Sequence, residues 1–172
     1  MIKNNNVIEQ AIDLSILNMS FLSKPVIVGG LAMEYYGLRK CGDDFDFIVT
    51  NEDYQVLARK YPDYRKDTWG DLFVEVGKYQ LFRSISRLDY SFYSDNSIEY
   101  NRYKIVSFER LFLMKAFAVR SQPEIQKNVD NFGLVIGYYY DNFRNQEYVA
   151  NAELHISAYM NALNGLIIGG KY

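Results

Sequence analysis

One stretch, residues 26–49, constrains the fold more than any other. It starts with the apolar run Val26-Ile27-Val28, breaks at Gly29-Gly30, and passes through a short helical run to Gly37. It returns through Asp43-Asp44-Phe45-Asp46-Phe47-Ile48-Val49. Pro25 opens a short buried strand, and the paired glycines let the backbone turn sharply into a helix. The first turn of that helix has N–H groups without internal partners and carries the positive end of the dipole, so it can face an anion. Gly37 suits a left-handed helix cap. Alternate side chains of a strand share a face, so Asp44 and Asp46 are expected on one side, with Phe45 and Phe47 in the core. Two carboxylates beside a glycine-lined helix start are what a divalent cation and a nucleoside triphosphate require.

At 172 residues the chain is long enough for one domain, or for a core domain with a helical extension. Its 16% aromatic content, with 16 Tyr and 11 Phe, favours interfaces, because a tyrosine ring buries well while its hydroxyl stays paired. The formal charge of −2 gives no global basic field of the kind that non-specific nucleic-acid binding uses. The single Cys41 excludes an intrachain disulfide and fits a reducing, cytoplasmic compartment. The polar start and the absence of an apolar run near the ~20 residues that span a bilayer argue against a secretory leader and a membrane partner.

Along the chain, residues 7–22 read as an amphipathic helix, with Ile8, Ala11, Ile12, Ile16 and Met19 at helical spacing. Asn51-Glu52-Asp53 reads as the cap and acidic first turn of a helix ending near Lys60, and residues 61–70 as a loop holding Trp69. Leu72 to Val76 and Tyr79 to Ser84 read as a hairpin about Gly77-Lys78. Further strands are expected over 87–93 and 103–106, with a loop over 94–101 between them. Ser107 opens a helix, Pro123 suits the first turn of another reaching about Tyr140, and residues 146–163 give a last one. The expected organisation is an α/β core over 1–106, of α+β type with a small mixed sheet flanked by helices, and a helical part over 107–172.

The 26–49 stretch resembles the signature of the polymerase-beta-like nucleotidyltransferases: a hydrophobic residue, Gly-Gly or Gly-Ser, a helix, then Asp-x-Asp opening a strand. Within that superfamily it is most similar to the small branch that includes abortive-infection and toxin–antitoxin nucleotidyltransferases. The resemblance makes Gly29 and Gly30 the phosphate-cradling pair, Ala32 the small residue of the first helical turn, and Asp44 and Asp46 the metal ligands. Lys40 falls where a basic residue often precedes those ligands, and Gly42 where the family usually places Ser or Thr. The implied reaction is magnesium-dependent transfer of a nucleoside monophosphate from a nucleoside triphosphate. The acceptor would be a hydroxyl on transfer RNA or on another molecule.

The family takes a third acid from a neighbouring strand, and here that position falls on Gln80. Two carboxylates compete to replace it. Glu75 lies across the expected hairpin from Gln80 and shares its sheet face, while Asp89 lies in a nearby run with strand character. With neither engaged, the chain reads as a catalytically degenerate member of the same fold. Such a member would serve as a structural subunit of an oligomer, a virion or another particle, with protein partners meeting its tyrosine-rich part, Phe132 to Tyr159. Asp43 reads as a surface charge, Arg39 and Lys40 as either surface charges or cations for a phosphate, and His155 as a packing or exposed residue. Cys41 has no histidine near it to make it a nucleophile. Tyr138-Tyr139-Tyr140 reads as core and interface.

Overall fold

A computed structural model describes residues 5–143 of the chain. The fold is mixed α/β. The first helix, α1 (Asn5–Ala11), is followed by a separate 3-10 turn at Leu14–Leu17, which corrects the single helix expected over 7–22. The Asp13 carboxylate accepts from the Ser15 N–H at 3.0 Å and its hydroxyl at 2.6 Å, a local pairing that competes with helical bonding. Asn18 then takes a left-handed φ of 49° and ends the turn.

Strand β1 (Val26–Ile27) is wholly buried, as its apolar run requires, and leads directly into α2 (Gly29–Tyr35). That helix ends with Gly37 at φ +72°. The Gly37 N–H donates to Glu34 O and the Leu38 N–H to Met33 O, both at 2.9 Å, the paired bonds of a Schellman end. Strand β2 (Phe45–Ile48) returns antiparallel to β1, with Val26 opposite Ile48. Helix α3 (Asn51–Lys60) is capped by Thr50, one residue before the cap expected from sequence.

Strand β3 (Arg65–Thr68) takes up the middle of the loop expected over 61–70. All four of its side chains are exposed, so no apolar alternation announces it; backbone pairing to β4 (Asp71–Val76) makes it a strand. The Gly77-Lys78 turn leads from β4 to β5 (Tyr79–Phe82), which lies antiparallel to β4 and parallel to β2. A two-stranded sheet of β6 (Ser84–Ile85) and β7 (Leu88–Asp89) follows. The strand expected over 87–93 stops at Asp89, whose carboxylate accepts from the Ser91 N–H at 3.0 Å and so starts α4 (Tyr90–Ser94). The loop expected over 94–101 contains β8 (Ile98–Glu99), which pairs with β9 (Lys104–Ile105).

The main sheet has the order β3-β4-β5-β2-β1-β9-β8, with β9 parallel to β1. Phe45, Phe47 and Tyr79 share one face, with ring centroids 5.9 and 6.0 Å from the tyrosine. On the opposite face Phe73 and Phe82 stack at 4.5 Å. Asp53 is 1% exposed and ties the segment before β1 to the start of α3. It accepts from the Leu22 N–H at 2.9 Å, the Ser23 N–H at 3.3 Å and the Thr50 hydroxyl at 2.9 Å.

The chain forms two compact units, residues 1–111 and 112–172. Helix α5 (Phe108–Ser121) begins in the first, and α6 (Gln126–Phe143) belongs to the second. Within the second unit the Phe112 ring lies 5.4 Å from Phe132 and 5.7 Å from Tyr139. Tyr140 is 48% exposed. The helix expected over 146–163, His155, and the 144–159 part of the proposed partner surface lie outside the described residues. Among the described residues, no helix is long and apolar enough to cross a membrane.

Candidate functional site

The site grows from the contact between the β1–α2 turn and β2. The Val28 N–H donates to the Asp46 carbonyl at 3.0 Å, which holds the turn against the strand. Gly29 has φ +59°, and a Cβ there would overlap the Asp46 Oδ2 and lie 2.8 Å from its Cγ. Only a residue without a side chain leaves room for that carboxylate.

Asp46 stands in register with Gln80 on β5, and Gln80 in register with Glu75 on β4. Directly paired residues share a face, so the three form one polar row across three strands. The Gln80 amide donates to Glu75 Oε1 at 3.4 Å. Lys66 of β3, a residue in the stretch read as a loop, forms an ion pair with Glu75. Of the two candidates for a third acid, Glu75 therefore lies in the row of Asp46. Asp89 lies in the two-stranded sheet and caps α4.

Asp44 sits exposed one residue before β2, and Asp43 is also exposed. The loop from Gly37 to Asp44 folds back on the turn. The Cys41 N–H donates to Glu34 Oε2 at 2.8 Å, and its thiol donates to the Asp44 carbonyl at 3.5 Å. Measured from the place a Gly30 Cβ would take, the Cys41 Sγ lies at 3.3 Å and the Arg39 guanidinium nitrogens at 3.5 and 3.7 Å. Of Arg39 and Lys40, both open from sequence to a surface or a phosphate role, Arg39 is the cation at the turn, while Lys40 is exposed. Neither Glu34 nor Arg39 carries a spacing signal that singles it out, because both reach the turn only through this loop.

Burial pushes the Cys41 thiol up to about 11, and the Asp46 and Glu34 carboxylates add to the effect, partly offset by Arg39. Alkylation of Cys41 by iodoacetamide should therefore be slow at neutral pH and rise until about pH 11. Asp46→Asn removes one charge that disfavours the thiolate, so its rate–pH profile should shift to lower pH. Mass spectrometry of both proteins checks this; coincident profiles would mean that Asp46 does not act on the thiol.

Of the expected hard donors, Asp46 and Gln80 stand in one row, and Asp44 lies just outside the strand. Asp46 and Asp44 offer carboxylate oxygens, and Gln80 offers a neutral amide oxygen. Among the described residues, no group of three or more His, Cys, Asp or Glu side chains is gathered as a metal site. No protein-family model matches the chain, and no curated protein shows significant similarity to it.

Proposed function

We propose that this site binds a nucleoside triphosphate with a divalent cation such as Mg²⁺ and transfers a nucleoside monophosphate to a hydroxyl acceptor. Asp46 and Asp44 would hold the cation, and the Gly29-Gly30 turn would lie against the phosphates. The observation that carries this reading is the fit of the Gly29 backbone to the Asp46 carboxylate, in a strand that pairs in register with β5. Side-chain-free backbone beside a fixed carboxylate is what close approach of a phosphate chain requires. Arg39 at Gly30 adds a cation that complements phosphate charge. The bound metal supplies neutralisation of the charge that develops on the phosphoryl oxygens. The resemblance to nucleotidyltransferases names a transfer-RNA-like acceptor.

A second reading, a degenerate member of the same fold serving as an assembly subunit, is favoured by one observation. Glu75 is already compensated by Lys66 and by the Gln80 amide. A carboxylate so engaged is less able to share the charge of a second metal ion.

Calorimetric titration with each of the four nucleoside triphosphates, with and without Mg²⁺, separates the two readings. Metal-dependent binding, weakened about tenfold or more in Asp46→Asn, supports the nucleotide site. Absence of binding, or equal binding to Asp46→Asn, supports the assembly reading.

A further inference from the structure

Helix α6 has one packed face and one open face. On the packed side Asn131 and Val135 are buried, and Phe132 and Tyr139 meet the Phe112 ring. The opposite side carries Val129, Gly133, Ile136 and Tyr140, alternating four and three residues apart. That is the 3.5-residue repeat with which one helix seats along another. Val129 is 40% exposed and Tyr140 48%, with Leu134 on the flank at 41%. Single exposed apolar residues are ordinary, but here they gather on one helix. Gly133 and Gly137 lie among them, and a Cβ at either would meet nothing within 4 Å among the described residues. Glycine inside a helix lowers its stability, and no described side chain fills the space these two leave. What they allow is close approach of another backbone.

The charges of α6 narrow the occupant. They are Lys127, Asp130 and Asp141. Asp130 accepts from the Gln126 amide of the same helix at 2.8 Å. Lys127 and Asp141 are both exposed, stand near opposite ends, and form no ion pair among the described residues. The 14 residues between them make about four whole turns, so both stand on one flank of the apolar stripe.

We propose that α6 seats antiparallel on α6 of a second copy of this chain. A two-fold axis at the middle of the stripe falls between residues 134 and 135. Gly133 then faces Ile136 of the other copy, and Val129 faces Tyr140, so each small side chain meets a larger one. In such a pair like flanks meet, and Lys127 comes within about one residue, ~1.5 Å of rise, of Asp141 of the other copy. The same contact forms at both ends. A parallel pair would instead set Lys127 against Lys127 and Asp141 against Asp141. The face is thus complementary to itself in shape and in charge, which is what a two-fold contact between identical chains requires. This pairing is independent of the nucleotide site and compatible with both readings of it.

Sedimentation equilibrium of the full chain, from low micromolar to submillimolar concentration, tests the pairing. The expected result is a reversible monomer–dimer equilibrium. Val129→Glu should weaken dimerisation about tenfold or more, since it sets a carboxylate against the Tyr140 ring of the other copy. Its monomer should keep the circular dichroism and unfolding midpoint of the wild-type monomer, because the site is exposed there. Charge reversal reads the direction of the helices. Lys127→Asp alone should weaken the dimer about tenfold, because two attractions become two repulsions, and adding Asp141→Lys should restore it. A chain that stays monomeric throughout, a dimer undiminished in Val129→Glu, or a double reversal that fails to restore the dimer would overturn the proposal. So would a destabilised Val129→Glu monomer, which would mean that another part of the same chain covers this face.

Discussion

Gly29→Ala is expected to lower stability by about 3 kcal/mol and, under the proposed nucleotide-site reading, to abolish nucleotide binding, whereas Gly77→Ala should cost only about 1 kcal/mol. The two glycines share the same backbone strain, both at φ +59°, so an alanine at either meets the same conformational penalty. They differ in surroundings. Nothing lies within 4 Å of a Cβ at Gly77, whereas a Cβ at Gly29 overlaps the Asp46 carboxylate. The overlap cannot be relieved by a flexible chain end, because the Cβ also lies 3.0 Å from the Asp46 Cβ, fixed in a paired strand. Either α2 shifts or β2 gives up the Val28–Asp46 backbone bond. Denaturant unfolding of both variants isolates the clash from the strain. Equal losses would mean that the turn and the carboxylate are not in contact in solution.

Asp53→Ala destabilises the protein by about 3 kcal/mol, and Asp53→Asn by about half as much. Its carboxylate is buried and serves three donors, the Leu22 and Ser23 N–H groups and the Thr50 hydroxyl. Alanine leaves all three without their acceptor, while asparagine keeps one oxygen and turns an amide toward the rest. The segment held this way leads into β1, where the Pro25 carbonyl accepts from the Lys104 N–H at 2.8 Å. Loss of the tie should therefore weaken the start of β1, raising hydrogen exchange at Lys104 more than at residues of β4. A cost below about 1 kcal/mol for Asp53→Ala would mean that water replaces the carboxylate.

The sequence alone was sufficient for the elements whose signals are local. Buried β1 and β2 are apolar along their core-facing positions, and Gly29-Gly30 and Gly37 mark the ends of α2 by backbone requirements few other residues meet. The Gly77-Lys78 turn set the register that puts Glu75 opposite Gln80. Where a side chain competed with the backbone, local patterns misled. Asp13 interrupts an otherwise helical period, and Asp89 turns an apparent strand into α4. The polar edge strand β3 had no pattern to read, since its stability comes from hydrogen bonds to β4.

In the site, the positions of Gly29 and Asp46 were legible because both lie within one strand–helix–strand segment, residues 26–48. Which charges meet them was not. Lys66 reaches Glu75 only because β3 and β4 are neighbours, and Arg39, Cys41 and Glu34 meet only when the loop from Gly37 to Asp44 folds over the turn. Dihedral preferences and periodicity act over a few residues and can be read along the chain. Strand order and loop closure are decided by burial of surfaces far apart in sequence, and so only the tertiary structure assigns each carboxylate its cation.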